Sequence, residues 1–320
     1  MKQHFLKPML PTLAETLPVG VNWVYEVKYD GFRCLLYWDE NTIIMTSRNG
    51  HPLHEIFPEI PAFLSVYTKK LSPYFPFLID GELCILENPF KASFELVQKR
   101  GRLKSRAKIK HASSAFPSSF CAFDLLTITG KNICNEPFLR RKEVLIKIFG
   151  EMDIPAKEIS IDSPFNYIPF TTDLSHIQEL VVNHHGEGIV AKKTMSKWST
   201  AARTPSWIKV KNLKMGTFFL LGLDTENGFF HVGILKEKIV TFIGLFAHGI
   251  TDEEKEALVQ IVKKNQSARR GSFIEIKPSI CVELSFLELY KEQLRQPRFI
   301  RFRFDVKWED CTWESLQKNN

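Results

Sequence analysis

Along the first two thirds of the chain, apolar residues recur in short runs with the alternation that turns one side of an extended strand toward a core. These runs predict strands over residues 24–30, 34–38, 42–47, 77–85, 119–126, 187–193 and 206–211. Helical spacing predicts helices over 93–101, 138–149 and 173–184, the last two closed by Gly150 and Gly186. The mixture points to an α+β domain built on antiparallel sheets.

Past about residue 213 the pattern becomes a dense succession of β-type segments. Strands are predicted over 217–224, 229–235, 238–246, 273–277, 280–287 and 298–306, with Asn227-Gly228 as a hairpin signal. Thr251 to Glu254 reads as a capping box that opens a helix ending near 264. So many strands with one helix in about 105 residues suggests a small barrel of the OB type. The expected division is a first domain over 1–213 and a second over 214–320, with no Pro/Gly-rich linker between them.

Composition narrows the class. With 320 residues, 44% hydrophobic and 25% charged, the chain can bury a sizeable core, and disorder is excluded. No apolar run approaches the roughly 18 residues of a membrane span. Lysine and arginine total 43 against 36 acids, a net charge of +7 that favours an anionic partner such as nucleic acid. The six cysteines and nine histidines are scattered without zinc spacing. Dispersed thiols and the absence of a signal-peptide pattern in MKQHFLKPML predict a reduced, cytoplasmic setting.

Chemistry concentrates first in EVKYDGFR, Glu26 to Arg33. On a strand that turns at Asp30-Gly31, Glu26, Lys28 and Asp30 share one face, and Val27 and Tyr29 the other. By spacing alone, a lysine between two carboxylates reads as a solvated charge cluster. The other reading is a nucleophilic amine, which needs partial desolvation and neighbouring cations to lower its pKa. WIKVK, 207–211, supplies such cations, because Lys209 and Lys211 alternate with apolar residues and face one way. GEGIVA, 186–191, fits a dinucleotide-binding string but precedes a strand where that fingerprint needs a helix, so it is rejected. The chain also lacks a P-loop.

KYDGFR resembles the KxDGxR motif of the covalent nucleotidyltransferases, which include ATP-dependent DNA ligases, RNA ligases and mRNA capping enzymes. SRNG at 47–50, DGE at 80–82, AFDLL at 122–126, EGIVAKK at 187–193 and WIKVK at 207–211 recur in the order of that family. The ending LRQPRFIRFRFD, 294–305, resembles the last motif of the DNA ligases, and the whole is most similar to the ligase module of the bacterial end-joining DNA ligase D group. The resemblance implies an ATP-grasp-like nucleotidyltransferase domain of two antiparallel sheets with helices, followed by an OB-fold barrel.

It also implies roles. Lys28 would attack the α-phosphate of ATP and carry AMP, with Lys209 and Lys211 neutralising phosphate. Arg33 would bind the ribose, Arg48 a phosphate, and Glu26 the adenine edge, while Phe123 would stack on the base. Glu82 would serve the sugar and metal region, its strand bringing Asp80 and Glu82 toward the surface, and Glu187 would ligate Mg²⁺ or Mn²⁺.

The basic run QKRGRLKSRAKIKH, 98–111, holds seven Lys or Arg between 99 and 110 and no acid. A solvated charge run is the ordinary explanation. In a polymer-joining enzyme, Lys104, Arg106, Lys108 and Lys110 are natural contacts to a phosphate backbone. At the end of the chain, alternation sets Arg301, Arg303, Asp305 and Lys307 on one face and Ile300, Phe302, Phe304 and Val306 on the buried one. By resemblance, Arg303 orients the pyrophosphate leaving group. The family usually writes RxDK here, and this chain has Val306 before Lys307.

The expectation is therefore a monomeric ATP-dependent DNA ligase acting on nicked or broken duplex DNA. By resemblance its partners are Ku and polymerase or nuclease modules, with no membrane. Only 27 residues precede Lys28, so no separate DNA-encircling domain is expected in front of it. The alternatives are an RNA ligase or capping-type enzyme and, outside catalysis, a degenerate nucleic-acid-binding platform.

Overall fold

The computed structural model describes residues 6–318. The chain divides into two compact units, Met1–Asn212 and Leu213–Asn320. In the first, a five-stranded sheet has the order Leu10–Leu13, Arg203–Lys211, Gly188–Lys193, Trp23–Lys28, Phe170–Thr171. The second sheet runs Phe165–Tyr167, Ser119–Ile128, Phe77–Cys84, Phe32–Trp38, Ile43–Ser47, with Lys131–Asn132 added beside Ser119–Ile128. Both depart from the all-antiparallel expectation by one pair each: Leu10–Leu13 runs parallel to Arg203–Lys211, and Phe165–Tyr167 parallel to Ser119–Ile128.

Residues of both sheets meet in one core that contains Val24, Val27, Leu35, Leu78, Cys121, Phe123 and Trp207. The helix Leu174–Asn183 adds Ile177 and Val181 to it. The other core lies where Leu36, Trp38, Ile79 and Phe120 pack with Leu145, Ile148 and Phe149 of the helix Phe138–Glu151 and with Ile60 and Leu64 of the helix Glu59–Ser65. Both glycine stops are corrected. Gly150 lies within its helix, and the left-handed residue after it is Asp153 (φ 56°), while His185 (φ 54°) takes that conformation instead of Gly186.

The second unit is an antiparallel sheet ordered Ile239–Phe246, Phe230–Lys236, Lys214–Asp224, Phe273–Ile276, Gln266–Arg270. Its long strand Lys214–Asp224 changes partner along its length, pairing with Cys281–Phe286 first and with Phe273–Ile276 further on. The helix Asp252–Lys264 starts with the expected capping box and buries Leu258 and Val262 among Phe218, Phe230 and Phe246. The strand Gln266–Arg270 and the helix Trp313–Lys318 were not anticipated from the sequence.

The last strand is shorter than predicted, Arg298–Phe302, and its alternation is broken. Leu284 opposes Phe299 and Glu283 opposes Arg301, so Ile300 is the extra residue of a bulge. The bulge turns Phe299 inward (2% exposed) and Ile300 outward (45%). Phe304, expected in the core, is 87% exposed because the strand has already ended. Val306 still packs beside Phe219, Cys281 and Cys311. No described helix is long and apolar enough to cross a membrane.

Candidate active site

The sheet register builds the site. Lys28 opposes Gly188, and Gly188 opposes Lys211; Glu26 opposes Val190, and Val190 opposes Lys209. Directly paired residues share a face, so Glu26, Lys28, Lys192, Trp207, Lys209 and Lys211 all project from one side of the five-stranded sheet. Two glycines allow the close approach. Gly188 holds φ +153°, and a Cβ there would stand 2.2 Å from the Val210 carbonyl oxygen; at Gly31 a Cβ would stand 2.3 Å from that of Leu83.

An open cavity is bordered by Glu26, Lys28, Arg33, Arg48, Glu82, Phe123 and Lys209, together with Lys192 and Trp207. Seven residues singled out across five separate sequence motifs thus meet around one space. Lys211 is not on the cavity wall, although its charge acts on Glu187. Lys104, Arg106, Lys108 and Lys110 stand apart from the cavity, exposed on or beside the helix Arg106–Ala115.

Lys28 is ion-paired with Glu187. Burial acts to lower its pKa, but Glu187, Glu82 and Asp30 outweigh burial, and the amine is held above its ordinary value. This corrects the expectation that Lys209 and Lys211 hold the amine down. Lys209 is itself the depressed lysine, through burial and through the like charges of Lys28 and Lys211. Burial raises the Glu187 carboxyl against the pull of Lys28, and pushes that of Glu82 up to about 7.

Asp80 does not approach the surface as expected. It is fully buried and accepts from Arg33 Nε at 2.7 Å, Arg33 Nη2 at 2.8 Å and the Trp198 indole at 2.9 Å. Arg33 also donates to the Met9 carbonyl at 3.2 Å, and its guanidinium lies 4.3 Å from the centre of the Phe123 ring. Glu26 is buried between two lysines, with Lys142 Nζ at 2.9 Å and Lys192 Nζ at 2.5 Å. Burial lowers the pKa of both lysines, that of Lys142 to about 8. Among the described residues, no group of three or more His, Cys, Asp or Glu side chains is arranged to hold a metal ion.

In the second unit, Arg303 donates to Glu283 at 3.0 Å, to Thr217 Oγ1 at 3.0 Å and to both oxygens of Asp305 at 2.8 and 2.9 Å. Arg301 shares Glu283 at 2.7 Å.

The sequence pattern of the ATP-dependent DNA ligase domain matches residues 8–211, a stretch that contains the whole cavity. The chain belongs to the ATP-dependent DNA ligase domain family. It is 37% identical over 313 residues to the bifunctional non-homologous end joining protein LigD of Bacillus subtilis, covering 98% of this chain and 51% of that protein. It is 23% identical over 358 residues to DNA ligase C of Mycobacterium tuberculosis, covering 99% and 96%. Among solved structures it resembles a mycobacterial DNA ligase D complexed with ATP and MES, with a TM-score of 0.55, 21% identity, and coverage of 96% of this chain and 98% of that one. The chain spans about half the length of most of the curated relatives it matches.

Within this ligase-family site, sequence reasoning missed Lys192 on the wall, and Lys142 and Trp198, which hold Glu26 and Asp80 from behind it. Lys192 stands inside EGIVAKK and was passed over beside Glu187. Lys142 could have been found by helical phase, since Phe138, Arg141, Lys142, Leu145, Ile148 and Phe149 form one buried stripe and two of its members are cations.

Proposed function

We propose that the chain is an ATP-dependent DNA ligase that seals nicks or breaks through a lysyl-AMP on Lys28 and a 5′-adenylylated DNA, in the repair of double-strand breaks by end joining. The observation that carries this reading is the placement of Lys28 in a cavity with Arg33, Arg48 and Lys209 at its wall, beside the aromatic faces of Phe123 and Trp207. Cations suit a triphosphate and the aromatic wall suits a purine.

In the first step the Lys28 amine attacks the α-phosphorus, a P–N bond forms, the bond to the β-phosphate oxygen breaks and pyrophosphate leaves. AMP then passes to a 5′-phosphate at the break. The 3′-hydroxyl displaces it, which forms the phosphodiester. Lys28 must lose a proton before it attacks, and Glu187, whose carboxyl is raised by burial, is its direct acceptor. Lys209 and Lys211 take the phosphate charge, Arg33 the ribose, Arg48 a phosphate, Phe123 the adenine face and Glu26 its edge. Residues 1–213 form the nucleotidyltransferase domain. Residues 214–320 form the OB domain, a reading favoured by the long strand that exchanges partners, and Arg303 orients the leaving group.

The donor set fits a divalent cation. Glu82 and Glu187 provide two hard oxygen ligands near Lys28, and a cation would restore to Glu82 the ionisation that burial discourages. Mg²⁺ or Mn²⁺ held there would supply charge neutralisation for the triphosphate. Ku and polymerase or nuclease modules are the partners that similarity to the end-joining protein suggests.

The test is a nicked duplex incubated with ATP and Mg²⁺ or Mn²⁺. Joined strands on a denaturing gel are expected, with GTP unable to replace ATP. A folded chain that joins nothing with either metal would overturn the reading. The DNA grip has its own test. Changing Lys104, Arg106, Lys108 and Lys110 together to Gln removes up to four phosphate contacts and should reduce the slope of log affinity against log salt by about 3. Lys28 adenylylation, which needs no DNA, should stay as it was. An unchanged slope would show that the run is only a solvated face.

A further inference from the structure

Lys142 lies outside every sequence motif and off the cavity wall, yet it is fully buried behind that wall. It reaches in from the helix Phe138–Glu151 and holds two wall elements together. Its ammonium is 2.9 Å from Glu26 Oε1 and donates to the Ile168 carbonyl at 2.6 Å, and both Glu26 and Ile168 border the cavity. A third contact fixes it, because the ammonium sits 3.9 Å from the centre of the Tyr167 ring. On the other side, Lys192 takes Glu26 Oε2 and lies 4.3 Å from the Phe123 ring and 4.2 Å from that of Trp207. Each oxygen of the Glu26 carboxyl group therefore has an ammonium group beside it as an ion pair.

The clamp has a chemical consequence. An ammonium group beside each oxygen restricts its rotation, so its acceptor sites keep one direction at the cavity wall. Such a group accepts from the 6-amino group of adenine and repels the 6-oxo group of guanine.

We propose that Lys142 is a positioning residue that sets the preference for adenine by holding the Glu26 carboxyl group in one orientation. This rests on the reading of the cavity as an ATP site. Without Lys142, Glu26 can turn about its remaining contact with Lys192, its acceptor leaves the position that meets the 6-amino group, and discrimination against guanine falls.

The test compares nucleotidyl transfer to Lys28 from labelled ATP and labelled GTP in the full chain and in Lys142→Met, Lys142→Gln and Lys142→Arg. For Lys142→Met and Lys142→Gln, the ratio of kcat/KM for ATP to that for GTP should fall by about tenfold or more, the scale of one hydrogen bond to a charged group. The loss should be in KM for ATP, with kcat nearly unchanged, and Lys142→Arg, which keeps the charge, should retain most of the ratio. A general loss of structure would lower both nucleotides alike and leave the ratio unmoved. If Lys142→Met does not fold, Lys142→Gln decides the matter, since it keeps a donor for Ile168 without the charge. A wild-type ratio in the folded neutral variant overturns the role of Lys142. A wild-type chain labelled by neither nucleotide overturns the ATP-site reading, and the role of Lys142 falls with it.

Discussion

Lys28→Ala is expected to gain no adenylate when incubated with ATP and Mg²⁺ or Mn²⁺, under conditions where the wild-type chain gains one per molecule by intact-mass measurement. The alanine has no nucleophile, so the effect is complete loss of the first step. It also leaves Glu187 without its ion-pair partner near Glu82 and Asp30, so part of any loss could be electrostatic. Lys28→Arg separates the two causes. Its guanidinium keeps the positive charge beside Glu187 but stays protonated, so it cannot attack phosphorus. Adenylylation of either variant at the wild-type level would remove Lys28 from the chemistry.

Asp80→Ala should destabilise the chain by about 3–5 kcal/mol in urea unfolding, the scale for breaking a buried ion pair by deleting one member. The carboxylate it removes is fully buried and serves Arg33 twice and Trp198 once. Burial nevertheless pushes the Asp80 carboxyl up, against the pull of Arg33 and Trp198, so desolvation outweighs what those partners return. The pair is thus expected to matter through the cost of orphaning Arg33 more than through its own attraction. The double variant Asp80→Leu, Arg33→Met should accordingly lose less than the two single changes added together. A double variant that loses their full sum would show that Asp80 and Arg33 are not energetically coupled, and would overturn this account.

Much of this site was legible because its chemistry is written in local motifs on strands. Period two places Glu26 and Lys28 on one face, and the register of Trp23–Lys28, Gly188–Lys193 and Arg203–Lys211 then adds Lys209 to them. What the sequence concealed depends on contacts between distant segments. Lys28 meets Glu187 across 159 residues and Trp198 meets Asp80 across 118, and no spacing rule reaches that far. The direction of the Lys28 pKa turned on that first contact: cations were visible in the motif WIKVK, but the carboxylates that outweigh them arrive only on folding.

Alternation also misled at the end of the chain. One bulged residue, Ile300, reverses the face of its neighbours, and nothing in an unbroken run of alternating residues marks where a strand will bulge. The basic run 98–111 was read as a uniform band of charge, whereas Arg100 is buried and bound to Glu59, Ile56 and Phe116. Its helical phase, with Ile109 and Ala112 turned inward, was not anticipated.

That helix carries a consequence for how such a protein can adapt. Lys104, Arg106, Lys108 and Lys110 are exposed, while Ile109 and Ala112 anchor the helix Arg106–Ala115 to the body. All four are exposed and none borders the cavity. If these four cations hold the DNA backbone as proposed, lineages living at different ionic strengths can exchange them one at a time, tuning that hold to the salt around them without touching the cavity.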